Sequence, residues 1–193
     1  MKEFFIIGLR RSGTSFLKRE LDQVPEIGKI DFEPHALWYA VMLQKFNRFK
    51  DPFYSKIIEN FHKRALHRWQ GAKFALNPGI DALDWKSFIR FFPECKVIFT
   101  IRNIKDTYAS YYKCDKDIIR GAVPFSVYEP MYVELTRTFE QFTKENPNKA
   151  CIWYYDEIFK DPVTEFNKIS KLLGISKPKG TVSRIKKPEH WSA

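Results

Sequence analysis

The sequence predicts an α/β fold: three layers, α/β/α, with a mostly parallel central sheet and a P-loop-like phosphate-binding loop. Two observations carry this. Short apolar runs of strand length, such as Phe4–Ile7, Lys96–Ile101 and Cys151–Tyr155, alternate with longer stretches whose apolar residues recur at helical spacing. The first run passes through Gly8–Gly13, a loop with a glycine at each end and Arg10 and Arg11 inside, into a helical pattern at Thr14–Leu21. Strand, glycine-flanked loop and helix is an arrangement that binds phosphate, because the unpaired N–H groups and the dipole of the helix start attract anions.

The remaining elements follow in order. Ile27–Phe32 reads as a short strand, with Glu33 held extended by Pro34. A helix follows with Trp38, Val41, Met42, Phe46 and Phe49 on one side. Asp51-Pro52 starts another, whose apolar stripe runs from Tyr54 through Phe61 to Leu66 and Trp69. His62 and His67 flank that stripe as surface or packing residues, at a separation unsuited to a two-histidine metal site. Ala72–Leu76 reads as a strand carrying Lys73, Asn77-Pro78-Gly79 as a turn, and Asp84 as the cap of a helix running to Phe92. Arg102 sits at the carboxyl end of the Lys96–Ile101 strand, and Asp106–Tyr112 reads as a helix containing Ser110. Lys113–Pro130 is the least regular stretch and is expected to be a mobile loop over the site. Met131–Lys144 is an amphipathic helix. Asp161-Pro162 and Gly174 bound a last helix, and a basic tail follows.

Parallel strands covered by helices place their ligand outside the carboxyl ends of the strands. Gly8–Ser15, Glu33, Lys73 and Arg102 fall at or just beyond such ends, so one cleft is expected to collect them.

The 193 residues suit one domain, residues 1–193, with a sizeable core. A hydrophobic fraction of 44% argues for a globular chain, and a formal charge of +10 favours an anionic partner. Cys95, Cys114 and Cys151 match no zinc pattern and read as free thiols in a reducing compartment. With the first strand beginning almost at Met1 and no apolar run of spanning length, the expectation is a cytoplasmic protein without a membrane span. The basic residues are spread along the chain rather than interleaved with aromatics, which argues against a nucleic-acid partner.

The loop is close to a Walker A pattern: Gly8, Gly13 and Ser15 fit, but Thr14 stands where the lysine belongs. That disfavours a P-loop kinase of a small metabolite, which also lacks a convincing aspartate for magnesium.

Two stretches, GLRRSGTSFL and KVIFTIRNIKDTYASYY, together resemble the sulfotransferases that use 3′-phosphoadenosine 5′-phosphosulfate (PAPS). The first resembles their 5′-phosphosulfate loop in its Arg-Ser-Gly-Thr form, seen in bacterial and tyrosylprotein-type members. The second resembles their 3′-phosphate segment, an arginine at a strand end and a serine eight residues later. WYYDEIFKDP and KLLGI are similar to a late strand and the helix after it, and the matched segments extend over most of the chain.

The resemblance implies a transferase that moves a sulfuryl group from PAPS to a hydroxyl or amine by in-line displacement, releasing PAP, with no metal. Arg11 matches the position of a catalytic lysine in cytosolic members. With the amides and hydroxyls of Ser12, Gly13, Thr14 and Ser15, it is assigned to the phosphosulfate; Arg10 is a further donor-binding candidate, with the alternative that its side chain points elsewhere. Arg102, able to make paired hydrogen bonds to phosphate oxygens, and Ser110 are assigned to the 3′-phosphate. Phe16 stands near the adenine position, or in the core. Glu33 resembles the Glu-Pro of several bacterial members and is the first choice of base, with His35 its competitor. Lys73 resembles a lysine brought to the sulfate by tyrosylprotein-type members. Lys179-Gly180 partly matches a C-terminal Arg-Lys-Gly loop, and Arg184 is another tail candidate. After the P-loop kinase, the second alternative is a non-catalytic nucleotide- or nucleic-acid-binding module explained by the positive charge, and a non-catalytic PAPS-binding fold is a further one. The acceptor stays open among sugar, lipid, small-molecule and peptide hydroxyls. The chain is short for the family, so the acceptor pocket is expected to be shallow or completed by a second subunit of a homodimer.

Overall fold

The computed structural model describes residues 2–32, 35–45, 52–76, 85–115 and 122–176. Within them the chain runs β1 (Glu3–Leu9), α1 (Thr14–Leu21), β2 (Ile27–Phe32), α2 (His35–Lys45), α3 (Pro52–Arg64), β3 (Trp69–Leu76), α4 (Trp85–Arg90), β4 (Lys96–Ile101), α5 (Ile104–Asp115), α6 (Phe125–Glu145), β5 (Ala150–Tyr154) and α7 (Pro162–Leu173). The strands form one sheet in the order β2-β3-β1-β4-β5, and every pairing is parallel.

The sheet is covered on both faces, so its inner strands read as near-continuous apolar runs. All seven residues of β1 are buried. They alternate between two cores, as the two-residue period of a strand requires. Phe4 and Ile6 pack with Leu17 and Leu21 of α1 and with Phe166, Ile169 and Leu173 of α7. Phe5, Ile7 and Leu9 pack on the other face, with Leu37 and Val41 of α2, Phe61 of α3, Phe88 of α4 and Tyr128 and Phe139 of α6. Aromatic rings dominate this second core. Phe99 stacks on Phe139 with centroids 4.2 Å apart, and Trp85 meets both edge-on. Each such side chain, fully buried, stabilises the fold by about 1.5–3 kcal/mol.

Helix ends follow local chemistry. The Asp161 carboxylate accepts from the Thr164 N–H at 3.0 Å, Pro162 opens α7, and Gly174 closes it with a left-handed φ of 63°. α5 starts two residues before the expected Asp106. The Asn103 side-chain oxygen accepts from the N–H groups of Lys105 (2.9 Å) and Asp106 (3.4 Å), which makes Asn103 its cap.

Three expectations are corrected. The irregular stretch at Lys113–Pro130 is shorter: α5 continues to Asp115 and α6 begins at Phe125, with Pro130 inside it. An interior proline costs a helix about 3 kcal/mol. Here Tyr128 and Tyr132, one turn apart on either side of Pro130, are buried, Tyr128 stacking on Tyr111 of α5 and Tyr132 on Tyr128, and burial of two such rings works against that cost. The expected loop over the site is thereby reduced, and its centre, 116–121, lies outside the described residues. The stripe assigned to α3 ends at Arg64. Trp69 belongs to β3, which begins three residues sooner than expected, and Leu66 is exposed. The α4 helix stops at Arg90, with a turn through Phe92; its expected cap, Asp84, lies outside the described residues.

No helix of the described residues is long and apolar enough to cross a membrane.

Candidate active site

β1 and β4 are neighbours at the centre of the sheet, and the chain leaves their carboxyl ends in opposite directions. From β1 it passes through α1 to β2 at one edge; from β4 it passes through α5 and α6 to β5 at the other. Such a divergence opens a crevice beyond the strand ends. A cleft of about 330 Å³ lies there, lined by Arg10, Arg11, Gly13, Thr14, Ser15, Phe16, Phe32, Lys73, Ala75, Arg102, Ser110 and Tyr155. Small-molecule sites span about 300–1,000 Å³.

The β1–α1 loop turns twice through left-handed backbone, at Arg11 (φ 72°) and Gly13 (φ 100°). The first turn of α1 has no side-chain cap, so its N–H groups and dipole are left for an anion. Gly13 is fixed by more than its φ: a Cβ there would lie 2.4 Å from Cδ2 of Tyr155. At Gly8 a Cβ would lie 2.1 Å from Oγ1 of Thr100 and 2.4 Å from Oγ of Ser12. Those two hydroxyls are buried and hydrogen-bonded to each other at 2.7 Å. The Ser12 hydroxyl therefore departs from its expected role. It pins the loop to β4, faces the sheet rather than the cleft, and leaves only the backbone of Ser12 for a ligand.

The loop and the β4–α5 segment meet across the crevice. Arg11 donates from Nε to Oγ of Ser110 at 2.8 Å, and Arg102 donates from Nη1 to the carbonyl of Arg11 at 3.4 Å. Arg102 is 8% exposed. Its guanidinium lies 5.1 Å from the centre of the Tyr155 ring and its Nη2 3.8 Å from the Asp106 carboxylate. Burial pushes the Tyr155 phenol up to about 12, against the pull of the Arg102 charge, so it stays neutral. Phe16 lines the cleft and also stacks on Trp153 with ring centroids 6.1 Å apart.

Lys73 is not beyond a strand end. It lies within β3, level with Ile6 and Phe32, and is 1% exposed. From there Nζ donates to Oγ of Ser15 at 3.1 Å and sits 3.9 Å from the centre of the Phe32 ring. Arg10 also borders the cleft. Glu33, Lys179 and Arg184 lie outside the described residues, as does the side chain of His35, whose backbone opens α2. Among the described residues no group of histidine, cysteine and carboxylate side chains is arranged to hold a metal ion.

Sequence reasoning missed several groups that shape the site: Phe32, Thr100, Tyr132, Tyr155 and Asp156. Tyr155-Asp156 lies within WYYDEIFKDP, which offered a signal; Tyr132 and Thr100 touch the site through contacts 30 and 88 residues away along the chain.

With this geometry in hand, comparison with known proteins defines the class. The sulfotransferase domain family matches residues 1–192, and the chain belongs to it. A flavonol 4′-sulfotransferase of Flaveria chlorifolia is 22% identical over 196 residues, covering 89% of this chain and 55% of the relative, so the chain spans about half the length of that curated relative. Among solved structures, the sulfotransferase domain of the Synechococcus PCC 7002 olefin synthase superposes with a TM-score of 0.68 at 17% identity, covering 98% of this chain and 82% of that one. A mouse sulfotransferase complexed with PAP gives 0.58 at 17%, covering 91% and 60%. A sulfotransferase from Alicyclobacillus acidocaldarius gives 0.57 at 19%, covering 97% and 87%. At these identities the likeness is one of fold.

Proposed function

We propose that the protein transfers a sulfuryl group from PAPS to an acceptor hydroxyl or amine, leaving PAP. The observation that carries this reading is the meeting of two basic segments, Arg11 of the phosphate-type loop and Arg102 with Ser110 of the β4–α5 segment, across one crevice. A donor with an anionic group at each end of an adenosine needs two such segments on one edge of the sheet. Family membership and a PAP-bound relative of the same fold add to it.

PAPS supplies the activated sulfuryl group; the chain supplies position and charge. The amides at the start of α1 and the hydroxyls of Thr14 and Ser15 bind the 5′ end, with Arg10 and Arg11 as its cations. Lys73, held on Ser15, adds a third charge at that end, where negative charge grows as the bond to the leaving phosphate breaks. Arg102 and Ser110 bind the 3′-phosphate, and Arg11 lies against Ser110, so the two anion sites share a wall. Phe16 and Tyr155 flank the adenine. Glu33, next along the chain from Phe32, takes the acceptor's proton, with His35 as the other candidate; Lys179 and Arg184 are tail candidates for the 3′-phosphate. The acceptor is a hydroxyl- or amine-bearing molecule, and a homodimer completing its pocket belongs to the same proposal, as does a cytoplasmic setting.

Titration with PAP, ATP and CoA, followed by thermal denaturation without magnesium, tests the donor. At 100 times its dissociation constant PAP should contribute about 2.7 kcal/mol, which for a chain of this size raises Tm by roughly 5–10 °C. ATP and CoA should do far less. Arg102→Ala should weaken PAP by roughly 10- to 100-fold, the loss of hydrogen bonds to a charged group. Equal stabilisation by ATP, or an unchanged response in the variant, would remove the reading. For the base, Glu33→Gln should lower turnover about 100-fold or more while PAP affinity stays the same. Wild-type turnover in that variant would transfer the role to His35.

A further inference from the structure

The peptide unit joining Arg102 to Asn103 is held at both of its polar ends by side chains from elsewhere in the chain. Its carbonyl accepts a short hydrogen bond from the hydroxyl of Tyr132 on α6. Its N–H donates to Oδ2 of Asp156, just after β5, at 2.5 Å. Thr107 adds weaker support, 3.5 Å from the same carbonyl. A peptide unit is a rigid plane, so fixing both ends fixes the last backbone torsion of Arg102. What remains is the side chain itself, and the Arg11 carbonyl, Asp106 and the Tyr155 ring border it.

Tyr132 is suited to this role. Its side chain is mostly buried and its ring stacks on Tyr128, so the hydroxyl arrives from a packed helix rather than from a loop. Burial raises its phenol pKa, which keeps the proton in place for donation. Neither Tyr132 nor Asp156 lines the cleft.

We infer that Tyr132 and Asp156 are positioning residues: they clamp the Arg102–Asn103 peptide and so aim the Arg102 guanidinium at the 3′-phosphate of the donor. This rests on the donor reading above. The clamp acts on one end of the ligand only. Its loss should reduce recognition of the 3′-phosphate and spare the rest of the nucleotide, whereas general loosening of the fold would weaken both.

The test compares PAP with 5′-AMP, which lacks the 3′-phosphate, by calorimetry on wild type, Tyr132→Phe, Asp156→Ala and Asp156→Asn. Tyr132→Phe keeps the ring and removes only the hydroxyl. It should weaken PAP about tenfold and 5′-AMP less than twofold. Asp156→Ala should do the same from the other end of the peptide, and Asp156→Asn, which retains an acceptor oxygen, should recover most of the loss. Equal weakening of both ligands, or no change in either, in the folded variants would overturn the inference while leaving the donor assignment standing. A wild-type protein that binds 5′-AMP as tightly as PAP would overturn the donor assignment, and the clamp with it. If Tyr132→Phe fails to fold, the Asp156 pair decides alone, since its Ala and Asn members differ in the acceptor.

Discussion

Gly13 and Gly174 have the same backbone problem and different surroundings, which separates strain from function at single residues. Both have left-handed φ, 100° and 63°, where an L side chain costs about 1–2 kcal/mol. Around Gly174 a Cβ would meet nothing within 4 Å, whereas at Gly13 it would strike the Tyr155 ring that also faces Arg102. Gly174→Ala should therefore lower Tm by roughly 2–8 °C and leave PAP affinity unchanged. Gly13→Ala should lower Tm further and also weaken PAP at least tenfold, because either the loop or Tyr155 must move. Calorimetry and melting on the two variants check this; equal PAP affinities would mean the loop's shape does not matter to the ligand. The contrast also marks what single residues disclose. Glycine at both ends of a basic loop is a signal in the sequence. Which of its hydroxyls turn inward is not: Ser12 is buried against Thr100 while Ser15, three places on, faces the cleft, and only the strand lying beneath the loop decides between them.

Elements whose identity is set locally were legible. β1, α1, β4 and α7 carry their signals within about a dozen residues: an apolar run, a glycine turn, a capping aspartate, a closing glycine. Elements set by distant partners were misread at their ends. Trp69 continues the helical spacing of α3, yet it lies in β3, where Gly71 leaves room for the Phe4 ring of the neighbouring strand; a Cβ would come within 2.5 Å of it. Buried Gln70 and Lys73 interrupt what would otherwise read as an apolar strand. Pro130 signals a helix boundary in the sequence, and the tyrosine packing between α5 and α6 overrides it. The same rule holds in the site. Arg11, Arg102 and Ser110 lie in two segments picked out by their resemblance to a known family, and each segment is local in the sequence; the support of Arg102 by Tyr132 and Asp156 comes from α6 and from the end of β5, and no local pattern announces it.

At the scale of the whole molecule, a chain of formal charge +10 gathers cations on both sides of one crevice, so donor binding should depend on salt in a particular way. The long-range field of a basic protein attracts any anion, and salt screens it over a Debye length of about 10 Å at 0.1 M and 3 Å at 1 M. PAP, with phosphates at two ends, should lose about tenfold in affinity between 50 and 500 mM NaCl, and 5′-AMP about threefold. Arg102 adds a second effect. Because it is almost fully buried, hydrogen bonds that it gave a phosphate would be poorly screened, and on the proposed donor reading PAP should still bind more tightly than 5′-AMP at 500 mM. Arg102→Ala should remove that residual preference while PAP keeps a steeper salt slope than 5′-AMP. The two quantities report different things: slope measures charge gathered around the crevice, and the high-salt preference measures direct contact at its second end. Parallel slopes with no high-salt preference in the wild type would mean that only one end of the ligand is held, and the two-segment crevice between β1 and β4 would then not be a donor site.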